Sequence, residues 1–426
     1  MKFFFVLIIC VSFVYHLFKK RKVDLFTIAF FSAFLYFLPG LFGYVIEPQL
    51  INGIREMVKV PLVENAYIVM SLVLISITLT TYLNDYITKS KKKKNIQNKS
   101  ILESKYILQS YVFISIISFI YVLYSTEFSL FTGKTNVWED LGIIKILLTL
   151  STNFAFITSY IKKQKFPLIY SIIMIAVLFL MGNRSVLAIA FLSAFLYKLN
   201  NYGKVKLIQL IRPKLLMITG IMGVILFNGK SIYGAFQREG LATAIKVLFN
   251  TDLLLEKVVT SEPFGTQNIL NTVLSDNYTI DIETLKTLPT HLLIAPGHFG
   301  RDTQSFSKDF TETFYPYVDY GLAYNIWAES YALGGWLFLI LIIIIFSLFL
   351  LIFNSLIEWK DMYLKSLFIS MSVYLAFYIH RNSIDTILTF ERHLIYIYIL
   401  GLIISFMLTT VLSKRKINQQ AFLFMR

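Results

Sequence analysis

Cysteine is almost missing from this chain: among 426 residues there is one, Cys10. No intramolecular disulfide can form, and a cysteine-built metal cluster is excluded. Charge is scarce too. Only 15% of residues are Asp, Glu, Lys or Arg, against about 25% in an ordinary soluble domain. Acidic residues are the scarcer sign, 25 against 40 basic ones, and there are five histidines. No HExxH, CxxC, P-loop or Rossmann glycine pattern occurs, which removes the zincin, redox, NTPase and dinucleotide-binding readings. No internal repeat appears, although inverted repeats are common in transporters. No small-residue cleavage site follows the first apolar run, FFFVLIICVSFVYHLF. Lys19, Lys20, Arg21 and Lys22 follow instead, so the run reads as a retained span rather than a signal peptide.

What the chain has in abundance is apolar sequence. Hydrophobic residues make up 56% of it, with a mean hydropathy of +0.66. Apolar segments fall at 3–18, 25–46, 66–83, 106–124, 142–161, 166–181, 184–199, 213–229, 321–353, 364–380 and 393–412. Most come near the roughly 20 residues that a bilayer core about 30 Å thick requires. The expected fold class is an all-α polytopic membrane protein of about 11 transmembrane helices. Its parts are an N-terminal bundle (1–229), one large loop (230–320) and a C-terminal bundle (321–426). Within the loop, GLATAIKVLFNTDLLLEKVV has the spacing of an amphipathic helix that lies on the bilayer. TQNILNTVLSDN suggests a second short helix, and TLPTHLLIAPGHFGRDTQSFS an irregular segment.

The net charge of +15 does not point to nucleic acid, because of where it lies. With the N-terminus outside and the spans alternating, the inside segments hold 25 of the 40 Lys and Arg but 5 of the 25 Asp and Glu. That is the positive-inside pattern. The runs at 19–22 and 89–94 set topology and meet anionic lipid. The expected location is the inner (cytoplasmic) membrane, N-terminus extracytoplasmic, C-terminus cytoplasmic, with the large loop outside.

Arginines mark the outer half. Arg184 follows Gly182 and Asn183, two residues suited to a tight turn, in MGNRSVLA between two apolar runs. Arg238 and Arg301 lie in the large loop. Arg381 and Arg392 bracket a last outer loop, 381–392. Each alone reads as an interface anchor reaching lipid phosphate. An Arg381–Asp385 pair, or Glu391, would also neutralise them. Together they suggest phosphate recognition, for which arginine's planar fork suits better than lysine. Glu329 begins the ninth span, and Asn325 would share its helical face. A carboxylate there is a candidate general base, or else a partner for an outer arginine. His291 and His298 in the loop have no ligand cluster around them. Asp281-Ile282-Glu283 is a lone D-x-E on the face away from the cytoplasm, where nucleotide sugars are made. No metal or other cofactor is expected.

These features resemble the O-antigen and capsule repeat-unit polymerases, the Wzy family. The resemblance covers about 165–412. It rests on the turn Gly182-Asn183-Arg184-Ser185 and on the large loop with prolines at Leu288-Pro289 and Ala295-Pro296. It rests also on Tyr320-Gly321, Ala328-Glu329-Ser330-Tyr331 and Gly334-Gly335 entering the next span, and on Arg381 ending the penultimate one. The lysine or tryptophan that the family often carries near the loop proline is missing at 289–300. The resemblance implies a metal-independent membrane glycosyltransferase, GT-C-like in fold. It would transfer a growing glycan from undecaprenyl pyrophosphate to the next lipid-linked repeat unit. Its partners would be that lipid-linked oligosaccharide, the bilayer and a chain-length regulator. Arg184 and Arg381 would hold the pyrophosphate, with Arg392, Arg301 and Arg238 in support. Glu329 would be the base with His298 in reserve, Tyr324 and Trp327 would stack on sugars, and the amphipathic loop helix would cover a prenyl groove. An O-antigen ligase, for which an essential loop histidine would speak, and a lipid-linked oligosaccharide flippase or other transporter are the alternatives.

Overall fold

The computed structural model describes residues 1–19, 23–51, 54–90, 106–126, 141–201, 234–235, 239–249, 261–281, 286, 289, 291–292, 305–318, 323–359 and 361–424. Its elements are α1 (Lys2–Phe18), α2 (Leu25–Tyr36), α3 (Leu38–Phe42), β1 (Tyr44–Ile51), β2 (Ile54–Pro61), α4 (Glu64–Ser90), α5 (Ile107–Ser125) and α6 (Gly142–Lys162). There follow α7 (Lys165–Leu180), α8 (Arg184–Asn201), α9 (Leu241–Phe249), α10 (Glu262–Ser275), α11 (Phe306–Phe314), α12 (Ile326–Leu356), α13 (Met362–Tyr378), a 3-10 turn (Ile379–Arg381) and α14 (Ile384–Phe424). Among the described residues, six helices are long and apolar enough to cross a membrane: α4, α5, α6, α12, α13 with its turn, and the first part of α14. Helices α1, α2 and α7 are apolar but shorter. The chain is a helical multi-pass membrane protein. The segment 213–229 and much of 230–320 fall outside the described residues.

Two expectations are corrected at the level of elements. The apolar segment over 25–46 does not continue as one helix. The helix breaks at Phe37, two residues before Pro39, and the short α3 that follows is closed by Gly43 at φ +89°. The chain then enters an antiparallel hairpin in which Val45 pairs with Val60 and Ile51 with Ile54. The last helix begins at Ile384 rather than 393. Ser383 Oγ meets Thr386 Oγ1 at 2.8 Å and Asp385 stands in the first turn, features that favour a helix start.

The bundle is laced by small hydroxyls and rings. Ser115 on α5 meets Thr152 on α6 at 2.7 Å, and Tyr170 on α7 donates to Ser115 at 2.9 Å. Such bonds join helices where lipid gives no hydrophobic drive. Tyr111 stacks on Phe154 beside them. At one end, Lys19 and Asp24 form a buried 2.8 Å ion pair, and Asp24 also caps α2 through Thr27 N. The opposite end carries the hairpin. Helix α10 is buried there against β1, α2, α3, α4 and α12. Its Asn271 accepts Val63 N at 2.8 Å and donates to Pro61 O at 3.3 Å, fixing the exit of the hairpin. Asn268 donates to Tyr315 Oη at 2.7 Å, and Tyr315 donates to Glu47 at 3.3 Å. Burial raises the Tyr315 phenol to about 12.

Helix α12 is broken inside. Gly334 and Gly335 leave helical geometry, and Gly335 sits at φ 61°, ψ −152°. The break exposes Ala332 O, which accepts Ile280 N at 3.0 Å and so ties the segment after α10 to the bundle. That region of backbone space is essentially reserved for glycine. Gly335→Ala is expected to lower stability by roughly 1–3 kcal/mol, seen as a reduced melting temperature in detergent, whereas Gly265→Ala, whose Cβ meets nothing within 4 Å, should change it little.

Candidate functional site

Three charged side chains meet at the hairpin end. Gly182, at φ +88°, closes α7, its N–H donating to Phe179 O while Asn183 N–H donates to Leu178 O. Arg184 then opens α8. Arg381 closes the 3-10 turn after α13 with its guanidinium 5.2 Å from the Tyr378 ring centre. Between the two arginines lies Glu262, on the first turn of α10, where Ser261 precedes it and Pro263 follows. Serine, acid and proline suit a helix N-terminus. Arg184 Nη2 lies 3.2 Å from Glu262 Oε1, and Arg381 Nη1 lies 2.6 Å from Oε2. One carboxylate thus bridges two guanidiniums. All three side chains keep about a third of their surface, at 30%, 28% and 33%, so a ligand can reach them.

The turn bearing Arg381 is held on both sides by the first half of α12. Trp327 Nε1 donates to His380 Nδ1 at 3.1 Å, just before the arginine. Glu329 Oε2 accepts Ile384 N–H at 2.6 Å, just after it. Tyr36, Phe37 and Phe346 surround the His380 ring. Glu329 is buried and its carboxylate caps the start of α14. Asn325 does not share a helical face with it. Asn325 is the N-cap of α12, accepting Trp327 N and donating to Thr266 O at 3.1 Å.

Other expected residues are placed as follows. Trp327 is fully buried, so no face of its ring is open to a sugar, which corrects the stacking expectation. Tyr324 is half-buried, paired with Thr311 Oγ1 at 2.9 Å, and burial holds its phenol above the ordinary range. Arg392 is not at a loop mouth. It lies within α14, about 12 Å along from the helix start at 1.5 Å per residue, with Nη2 3.1 Å from His393 Nε2. His291 Nδ1 lies 3.3 Å from Thr389 Oγ1 on α14. Arg238, Arg301, His298 and Glu283 lie outside the described residues. Among the described residues no three His, Cys, Asp or Glu side chains gather at one point. Glu262 is the residue of this candidate site that sequence reasoning missed. Its signal was Ser-Glu-Pro, the signature of a helix start.

Set against known proteins, the chain matches no family model, no curated protein and no solved structure.

Two guanidiniums facing one carboxylate form a seat for an anion, with Glu262 as its resident. Removing that carboxylate leaves two adjacent cations uncompensated. Glu262→Ala is expected to lower stability by on the order of 1–2 kcal/mol, less than a fully buried pair would cost because the groups are partly solvated. Millimolar inorganic pyrophosphate should then restore the melting temperature by binding the folded form. A melting temperature unmoved by pyrophosphate would show that the arginines do not accept an anion.

Proposed function

We propose that the chain is a membrane glycosyltransferase that polymerises lipid-linked oligosaccharide repeat units for a surface polysaccharide, O-antigen or capsule. In this reading it moves the growing glycan from undecaprenyl pyrophosphate onto the next lipid-linked unit, at the outer face of the cytoplasmic membrane. The observation that carries the reading is the Arg184–Glu262–Arg381 bridge. Two arginines 197 positions apart converge within hydrogen-bond reach of one anionic group at one end of the bundle.

The chemistry follows from that convergence. The bond that breaks joins the anomeric carbon of the growing chain to the pyrophosphate, whose oxygen leaves with the electron pair. The bond that forms joins the same carbon to an acceptor hydroxyl, which gives up its proton. Charge therefore builds on the pyrophosphate in the transition state. Preorganised guanidiniums stabilise such charge, each donor being worth about 10²–10³ in rate. Arg184 and Arg381 take this role, with the pyrophosphate replacing the Glu262 carboxylate. Glu329 holds the Arg381 turn from behind and is the candidate acceptor of the hydroxyl proton. Arg392, Arg301 and Arg238 remain the proposed supporting cations, with His298 as the reserve base. An O-antigen ligase reaction is the second reading, favoured by the placement of the loop residue His291 against α14.

Deletion of the gene in its host, with surface and lipid-linked glycans resolved on a gel, tests the assignment. Surface acceptors with one repeat and no ladder are expected. Long chains retained on the lipid carrier would mean the ligase, and an unchanged ladder would sink both readings. A charge swap then separates binding from scaffolding. Arg381→Glu alone and Arg381→Glu with Glu262→Arg should both abolish the ladder at normal protein levels. A ladder restored by the swap would mean that Arg381 serves only the bridge. Arg184→Lys keeps the charge but loses the fork, and should reduce polymer by about 10²-fold or more.

A further inference from the structure

Beside the arginine bridge, and separate from it, a cavity of about 300 Å³ opens between α6, α8 and α14. Its polar wall is a stripe on α6. Lys145, Thr149 and Asn153 recur every four residues and therefore share one face. Asn153 lies about 16 Å along α6 from Gly142, at 1.5 Å per residue. The cavity thus runs from the hairpin end well into the bundle. Asn183 and Ser185 line it from the turn that holds Arg184, and His393 lines it from α14. Ser185 Oγ donates to Asn183 Oδ1 at 2.7 Å, which fixes these two groups in place.

Asn153 sets this cavity apart from a packing gap. It is 3% exposed, yet among the described residues neither its Nδ2 nor its Oδ1 has a hydrogen-bond partner. Both atoms belong to a side chain that lines the cavity. A buried amide costs on the order of 1–3 kcal/mol per unmatched group, so an amide kept here in an apolar helix asks for a ligand. The chemistry of the wall narrows what that ligand is. Amide, hydroxyl and imidazole groups offer donors and acceptors together, with one ammonium, Lys145, at the hairpin end of the stripe, whereas a phosphate would call for donors only. Ile146, Leu150, Val186, Ile189 and Phe390 complete the lining with apolar surface. A ligand with alternating hydroxyls on its edge and C–H groups on its face fits that mixture. The volume, at the lower bound for small-molecule sites, holds about one such ring.

We propose that this cavity is a subsite for a single neutral sugar ring, held by Asn153 and Thr149 at its floor and by Asn183 and Ser185 at its mouth. The inference rests on the proposed function for its meaning: Arg184 lies between the two mouth residues, so a sugar in the cavity sits beside a pyrophosphate on the arginines. It stands on its own geometry for its existence.

The test uses the full-length protein in nanodiscs and two separate probes. The first is a panel of methyl glycosides covering axial and equatorial hydroxyls, N-acetyl, 6-deoxy and uronate forms, read by saturation-transfer NMR. The second is farnesyl pyrophosphate, read by thermal shift. At least one neutral glycoside should bind the wild type, and Asn153→Leu should weaken it at least tenfold. Arg381→Ala should leave that glycoside bound and abolish the farnesyl pyrophosphate shift. Should Asn153→Leu fail to accumulate, the isosteric Thr149→Val decides, with the same expected loss. Binding of no glycoside, of the uronate alone, or of glycosides equally by the wild type and the Asn153 and Thr149 variants would overturn the subsite whatever the arginines do. Glycoside binding lost on Asn153→Leu, with no farnesyl pyrophosphate shift in the wild type, would keep the subsite and overturn the proposed function instead.

Discussion

The Glu262 carboxylate, held between Arg184 and Arg381, is the constraint on which the hairpin end depends. It draws together a turn in the first half of the chain, a buried helix from the middle and a turn near the end. Either arginine alone would serve as an interface anchor, and the shared carboxylate is what fixes them to each other. Once they are paired, α10 must lie against the bundle rather than over lipid, and its amides then anchor the hairpin through Val63 and Pro61. The turn of α13 is fixed in its place by Trp327 and Glu329. The architecture of this end follows from satisfying three charges at once.

The same logic explains why its supports are polar but inaccessible. Glu329, Asn325 and His380 each have a defined partner and little or no exposed surface. They orient backbone and rings so that the two guanidiniums keep one geometry. The two arginines and Glu262 remain partly open, and the buried set holds the turn on which Arg381 stands.

Much of this was readable from the residues. Apolar length located most helices, because burial in lipid imposes it. Gly-Asn before Arg184 gave the turn, because glycine alone accepts the left-handed backbone there without strain. The hairpin was not readable: Tyr44–Pro61 mixes charges with β-branched residues and follows an apolar run that local pattern extends as helix. The bridge was not readable either. Glu262 lies 78 residues from Arg184 and 119 from Arg381, and nothing local distinguishes it from any acid at a helix start. Trp327 looked like a sugar platform because an aromatic near a membrane surface often is one. Its role was set by His380, a tertiary neighbour 53 residues away. The sequence separations are long because ion pairing and ring packing are properties of the folded bundle.

The broken helix α12 also bears on how much of it a bilayer would need. An unbroken helix from Ile326 to Leu356 would run about 46 Å, far more than a hydrocarbon core of about 30 Å. The part beyond Gly335, residues 336–356, runs about 32 Å and matches that core without tilt. The eight residues before the break, Trp327 and Glu329 among them, are then more than that core requires, and the glycine pair divides the helix into a part of span length and a part that serves the bundle.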